Sequence, residues 1–230
     1  MFHNSALARI ALALGLGLAI LPAAAAQPLQ LPPSSYVFKA AAPCLEDPER
    51  ARRPPRAGQA RYDVCADQMA LLVAGLETAR RNGQLLLVEI GATWCVWCAV
   101  LQGQLHDPAL KAIGFDVDQA FHILPIGVST LHRGQQAEIP SGRVVLDEML
   151  ARASGALART TPFIVVIDPR DTSRLFARNL DDLALTSEGR FDQARLSNVL
   201  RSAHDHVRQH AAAPSEPGWF RRKLIRWWNS

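Results

Sequence analysis

The chain lacks the repeated ligand motifs that mark zinc and haem proteins. It contains one Cys-x-x-Cys pair, Cys95 and Cys98, and no second one, whereas a structural zinc ion takes four ligands. His204 and His206 would complete such a set only if the chain folded back onto the pair. Ala99 stands where a c-type haem attachment motif has histidine. The sequence therefore predicts no metal and no cofactor, and it contains no internal repeat or long low-complexity tract.

An excess of charge is also missing from most of the chain. There are 25 basic and 21 acidic side chains, but four of the basic ones lie within residues 221–230. Residues 27–220 are close to neutral. A nucleic-acid-binding protein carries a basic patch on its folded part, so we expect no nucleic acid partner.

Long hydrophobic runs are absent too. The apolar run at 10–21 has only about 12 residues, too few for a membrane span. It follows His3 and Arg9 and precedes Ala24–Ala26, so residues 1–26 match the three parts of a secretory signal peptide. We expect export to the periplasm of a Gram-negative cell or an equivalent oxidising space. An uncleaved N-terminal anchor is the alternative.

The cysteine count agrees with an oxidising compartment. All four cysteines follow the predicted signal, and an even number there favours persistent disulfides. If Cys95 pairs with Cys98, Cys44 is left for Cys65. We expect Cys44–Cys65 to be a structural disulfide that ties the N-terminal extension to the first helix. A second redox pair is the alternative.

The most informative stretch surrounds Cys95. Leu85–Ile90 is apolar enough to form a strand buried on both faces, and we expect the strand to break at Gly91. Residues 99–105 suit a helix. A first cysteine at such a junction meets the open N–H groups and positive dipole end of the helix, which favours the Cys95 thiolate. Cys98 lies one turn further on, where it can attack a mixed disulfide formed by Cys95.

These residues resemble the thioredoxin superfamily. Trp94–Cys98 matches its W-C-x-x-C active site, and Thr160–Asp168 resembles its cis-proline loop and following strand, with Pro162 as the cis-proline. The resemblance implies an α/β, thioredoxin-like fold with a central mixed sheet flanked by helices. The expected divisions are a signal peptide (1–26), an N-terminal extension (27–61), a thioredoxin-like domain (62–210), and a linker with a basic aromatic tail (211–230).

The resemblance implies thiol–disulfide exchange on protein thiols and disulfides. Val96, and Asp107 with the proline after it, are similar to the periplasmic thioredoxin-like domain of DsbD. The dipeptide Val96-Trp97 has no cation to stabilise a thiolate, which favours a role as a reductase, or one on the isomerase side, fed by a membrane electron donor. The alternative is a non-catalytic module that keeps the fold to bind a partner protein or a metal.

The resemblance also implies roles for three further residues. Glu89 matches the position of the buried aspartate of thioredoxin, so it would accept the proton of Cys98, and burial would raise its pKa. A glutamate that reaches solvent at the strand end is the alternative. Trp94 would shield the mixed disulfide, or it simply packs. Pro162 would place backbone polar groups beside the sulfurs.

The tail at 219–230 predicts a short amphipathic helix. Its apolar side consists of Phe220, Leu224, Trp227 and Trp228, and its basic side of Arg222, Lys223 and Arg226. This pattern is typical of a helix lying on an anionic membrane surface. Docking on the protein's own surface, or disorder, is the alternative.

Elsewhere, periodicity and turn residues predict the remaining elements. They are a short strand at Tyr36–Lys39, a helix capped by Asp63 that runs to the region of Arg81, a short helix at Asp107–Ile113, a strand at Phe121–Val128, a loop at 130–143, a helix at Val144–Leu157, a hairpin of Phe163–Ile167 and Leu175–Arg178, and a closing helix at Phe191–Gln209.

Overall fold

A computed structural model of the chain describes residues 31–33, 35–51, 59–153, 160–183 and 185–209. The predicted signal peptide and the tail at 219–230 lie outside these residues and stay predictions. None of the helices in the described ranges combines the length and apolar character needed to cross a membrane.

Helices and a single sheet make up the described part of the chain. The helices are α1 (Ala42–Glu46), α2 (Pro48–Ala51), α3 (Gln68–Asn82), α4 (Val96–Leu105), α5 (Pro108–Ala112), α6 (Val117–Ala120), α7 (Pro140–Arg152) and α8 (Gln193–Gln209). The strands are β1 (Leu85–Ala92), β2 (Phe121–His132), β3 (Gln135–Glu138), β4 (Phe163–Ile167) and β5 (Leu175–Asn179).

The sheet has the strand order β3-β2-β1-β4-β5. β1 and β2 are parallel and are joined through α4, whereas the other strand pairs are antiparallel. The β4–β5 hairpin then leads to α8. A parallel βαβ unit followed by a ββα unit in one mixed sheet is the arrangement of the thioredoxin-like fold, so the predicted fold class is confirmed.

Both faces of β1 are covered, because each of its residues is buried. Leu85 and Leu87 pack in one cluster with side chains of α4, α5 and α8. Leu86, Val88 and Ile90 pack in the other with side chains of α3 and α7. Alternation along a strand puts residues of equal parity on one face. Position 89 therefore faces α4, the helix that carries Cys98.

The start of α3 differs from the expectation. Its N-cap is Asp67, whose side chain accepts from the backbone N–H groups of Met69 and Ala70. Asp63 instead closes a tight turn by accepting from the N–H groups of Cys65 and Ala66. Aspartate serves either purpose, and the turn at Asp63 delays the helix. The predicted end is confirmed, since Gly83 closes the helix in the left-handed conformation with φ 70°.

The predicted break of β1 at Gly91 is wrong. Gly91 pairs with Gly127 of β2, and the strand continues to Ala92. Pro125 is tolerated in β2 because β3 pairs only with Ser129–His132 further along.

Two other expectations are corrected. Residues 130–143 are not a loop: β2 runs on to a turn at Arg133 and Gly134, both with positive φ, and β3 returns beside it. α7 therefore begins at Pro140, earlier than expected. Tyr36–Lys39 forms no strand; the Tyr36 hydroxyl instead donates to Asp67 at 2.5 Å. The predicted β4–β5 hairpin is confirmed.

Candidate active site

Cys95 and Cys98 lie where β1 ends and α4 begins, and a disulfide joins them. Cys95 is the N-cap of α4, and its Sγ accepts from the Cys98 backbone N–H at 3.1 Å. An N-cap position next to unpaired helix N–H groups favours a thiolate when the pair is reduced. Cys95 keeps 5% of its surface exposed and Cys98 none. A substrate therefore has access to Cys95 first.

Glu89 lies on β1 beneath this disulfide, and its side chain is fully buried. The Tyr62 hydroxyl donates to Oε1 at 2.5 Å, and Gln102 Nε2 donates to Oε2 at 2.8 Å. Burial raises the pKa of Glu89 to about 7, although both hydrogen bonds act to lower it. The alternative of a glutamate that reaches solvent is wrong. The carboxyl group can gain or lose a proton near neutral pH.

The Glu89 carboxyl group and the Cys98 sulfur both lie next to Gly91, on the same side of β1. A Cβ at position 91 would lie 2.1 Å from Tyr62 Oη, 2.6 Å from Cys98 Sγ and 3.0 Å from Glu89 Oε1. The phenol, the sulfur and the carboxylate thus converge on one small volume. Only glycine leaves room for them at this position.

Tyr62 belongs to a segment that precedes α3 and covers the disulfide. Ala60 is fully buried against Cys95 and Cys98, with Tyr62 packed beside it. We call residues 59–66 the arm. Desolvation and the neighbouring Glu89 carboxylate raise the pKa of Tyr62, so its hydroxyl stays protonated and remains a donor.

Sequence reasoning missed both partners of Glu89. Gln102 follows Cys98 by four residues on α4, a spacing that places two side chains on the same helix face, so its position was predictable. Tyr62 had only an indirect signal. Gly91 and Gly127 interrupt two strands, and a strand glycine often marks the close approach of another group.

Pro162 immediately precedes β4, the strand next to β1, and the Thr161–Pro162 peptide bond is cis. Phe163 of β4 pairs with Ile90, so the preceding Pro162 lies at the end of the sheet that carries the disulfide. A cleft of about 120 Å³ separates this loop from α4. Its lining includes Trp97, Thr161, Pro162, Leu180, Leu183 and Phe191. The cleft is largely apolar, and Trp97 on its α4 side lies between the two cysteines in sequence.

Trp94 is both packed and accessible. Its side chain is 37% exposed, and Nε1 donates to Ser129 Oγ at 3.2 Å. Its proposed shielding of a mixed disulfide stays a prediction.

The other two cysteines are also joined, with 5.5 Å between the Cα atoms of Cys44 and Cys65. The bond links α1 to the arm, three residues after Tyr62. In the described ranges, no group of three or more His, Cys, Asp or Glu side chains is arranged to hold a metal ion.

Fold and site together define a thioredoxin-like domain with a cysteine pair at a helix start. The chain matches no protein-family model and no curated protein. Among solved structures it is similar to a disulphide isomerase from Xylella fastidiosa Temecula1, at 17% identity and a TM-score of 0.35. The match covers 64% of this chain and 91% of that one. The fold assignment therefore rests on the strand order and connections described above.

Proposed function

We propose that this protein is a thiol–disulfide oxidoreductase that acts on protein substrates, and that it works as a reductase. The observation that supports this most directly is the Cys95–Cys98 pair at the start of α4, with the buried Glu89 carboxyl group beside Cys98. A binding module that merely kept the fold would have no need for a protonatable group at the second sulfur.

The reaction begins from the dithiol form. The Cys95 thiolate attacks a substrate disulfide, forming a mixed disulfide and releasing one substrate thiolate, which takes up a proton. Cys98 then transfers its proton to Glu89, and the resulting thiolate attacks Cys95 Sγ. The second substrate thiolate leaves and is protonated. Two electrons pass from the cysteine pair to the substrate, and the Cys95–Cys98 disulfide remains.

The reductase direction is supported by the residues between the two cysteines. Val96 and Trp97 carry no charge, so the helix start is the main local stabiliser of the Cys95 thiolate. A strongly oxidising pair needs a reduced form with much greater stabilisation. Turnover then requires a dithiol donor, which we propose to be a membrane protein, with this chain exported to the periplasm.

Trapping variants test the function. We expect Cys98→Ser to accumulate mixed disulfides with substrate proteins through Cys95, because the resolving thiol is gone, whereas Cys95→Ser should form none. The matched control is the double variant Cys95→Ser/Cys98→Ser. Non-reducing electrophoresis with mass mapping identifies the linked cysteine.

A reduction potential of the wild-type pair tests the direction. We expect a value well below the ~−120 mV of the strong oxidant DsbA. A potential near that value would contradict the reductase role. If Cys95→Ser formed complexes and Cys98→Ser did not, the two sulfurs would have the opposite roles. If no variant formed complexes and the wild-type protein reduced no disulfide substrate, the binding module would be the better description.

A further inference from the structure

We propose that Tyr62 is a positioning residue for proton transfer between Glu89 and Cys98, and that the disulfide-anchored arm delivers it to the site. This inference rests on the proposed function. It assigns a chemical role to a segment outside the β1–α4 junction and its cysteine motif.

The first argument is that two paired glycines leave space on the sheet for the Tyr62 side chain. Gly91 and Gly127 are paired neighbours on β1 and β2. A Cβ at Gly127 would lie 2.9 Å from Tyr62 Cβ, and one at Gly91 would lie 2.1 Å from its Oη. The two glycines thus leave a bare strip of sheet, along which the tyrosine extends towards the carboxylate. Side chains at either position would displace it.

The second argument is the hydrogen bonding at the end of that strip. Tyr62 Oη donates to Glu89 Oε1, the carboxylate oxygen that, like Cys98 Sγ, lies next to Gly91. Gln102 donates to the other carboxylate oxygen. Gln102 also contacts the backbone of the arm, because its Oε1 accepts from the Arg61 N–H at 2.8 Å and its Nε2 lies 3.4 Å from the Arg61 carbonyl oxygen. The carboxyl plane is therefore fixed by two donors, one of them supplied by the arm.

The third argument is that the arm is anchored on both sides of Tyr62. Ala60 is buried against the active-site disulfide. Cys65 is bonded to Cys44, and the Asp63 carbonyl accepts from Gln68 Nε2 at 2.6 Å. These constraints restrict the motion of the tyrosine, as an orienting residue requires.

The groups facing Glu89 limit what else could set its proton affinity. The arm supplies Tyr62, and α4 supplies Gln102 and Cys98. The neighbouring strands place Pro125 and Ile164 opposite it, and neither titrates. Tyr62 and Gln102 both donate to the carboxylate, so each favours the charged form that accepts a proton.

The test replaces Tyr62 by phenylalanine, which keeps the ring on the glycine strip and removes only the hydroxyl. The pKa of Glu89 is measured in the oxidised full chain by ¹³C NMR of labelled glutamate. We expect it to rise by about one unit or more, because a donor to a charged group is lost. The carboxylate fraction at pH 7 then falls from about half to about one tenth.

The activity readout is the pH profile of the resolution step, the attack of Cys98 on a preformed mixed disulfide. Its pH midpoint should move upwards with the pKa of Glu89. The matched control is Tyr36→Phe, which removes a hydroxyl that also donates to a carboxylate at 2.5 Å, that of Asp67. It should leave both the pKa of Glu89 and the profile unchanged. Gln102→Leu removes the second donor, and it should raise both the pKa of Glu89 and the pH midpoint of the resolution step. If Tyr62→Phe does not fold, Gln102→Leu still tests whether the donors to this carboxylate set its pKa and the pH profile.

Three results would overturn the proposal. They are an unchanged pKa of Glu89 in Tyr62→Phe, an equal shift in Tyr36→Phe, and a shifted pKa with an unchanged resolution profile. The pKa measurement needs no substrate, so it separates a failure of this inference from a failure of the proposed exchange activity. In the latter case, the Cys98→Ser variant would trap no partner at all.

Discussion

Replacing Glu89 by glutamine should remove one contribution to the pH dependence of this protein's stability. The folded-state pKa of Glu89 is about 7, against an ordinary value of 4.5. An acid with a raised folded-state pKa binds its proton more tightly in the folded state than in the unfolded state. Its contribution to stability is therefore complete below pH 4.5 and is lost as the pH rises towards 7 and beyond.

The size of the effect follows from this difference and from the complete burial of the side chain. One pKa unit corresponds to about 1.4 kcal/mol, so ionisation of Glu89 costs about 3 kcal/mol in all, and most of this stability is lost between pH 5 and pH 8. Glutamine is close in shape and neutral. Its amide nitrogen would face Gln102 Nε2, itself a donor, and losing that hydrogen bond costs about 1 kcal/mol. At pH 5 the unfolded wild-type glutamate is already largely ionised, so the wild type has lost about 1 kcal/mol there. Glu89→Gln should therefore match the wild type at pH 5 and exceed it by about 2 kcal/mol at pH 8.

Urea unfolding of the oxidised proteins at several pH values between 5 and 8 measures this difference. Other groups also titrate in this range, so the quantity of interest is the variant minus the wild type at each pH. Glu188→Gln, at an exposed position, is the matched control and should follow the wild-type curve. A Glu89→Gln curve parallel to the wild type would refute the reasoning, because the carboxyl group would then not change protonation in this range.

Two further predictions concern the packing of the site. Gly91→Ala should destabilise the fold by about 1–3 kcal/mol and slow exchange, because its Cβ would overlap Tyr62 and Cys98. Gly103→Ala on α4 meets nothing within 4 Å and should stabilise the fold by about 1 kcal/mol; equal effects in thermal unfolding would contradict the packing described for Gly91. The double variant Cys44→Ser/Cys65→Ser should lose about 3 kcal/mol in denaturant unfolding. Reduction of Cys44–Cys65 as readily as Cys95–Cys98 would favour the second redox pair instead.

The central part of the fold was accessible from sequence because local signals and burial agree there. An apolar run followed by a Cys-x-x-Cys pair is typical of a buried strand that enters a helix, and β1 and α4 follow that pattern. The hairpin of β4 and β5 was equally clear, since two apolar runs flank the turn that begins at Asp168. At these positions propensity, pattern and tertiary packing favour one structure.

Errors arose where one residue type serves two purposes. Asp63 and Asp67 are both good N-caps, and only the arm's path decides that Asp67 begins α3. Gly91 is a plausible strand end, but here a glycine is needed inside the strand for Tyr62 to approach. Such contacts join residues far apart in the chain, and no local pattern encodes them. Tyr62 was missed for the same reason, since its contacts with Gly91 and Glu89 join residues far apart in the chain.

The cost of Glu89 to the fold is itself an argument about function. Leu85 and Leu87 lie on the same face of β1 and pack into the core beside α4 and α8, so a leucine at 89 would extend an apolar surface. A glutamate there destabilises the folded state whenever it is charged, and it needs Tyr62, Gln102 and a glycine strip to be accommodated. Structural demands alone would favour the leucine. A group that changes protonation near pH 7 beside Cys98 has a use only if that sulfur gains and loses a proton, as the proposed exchange requires.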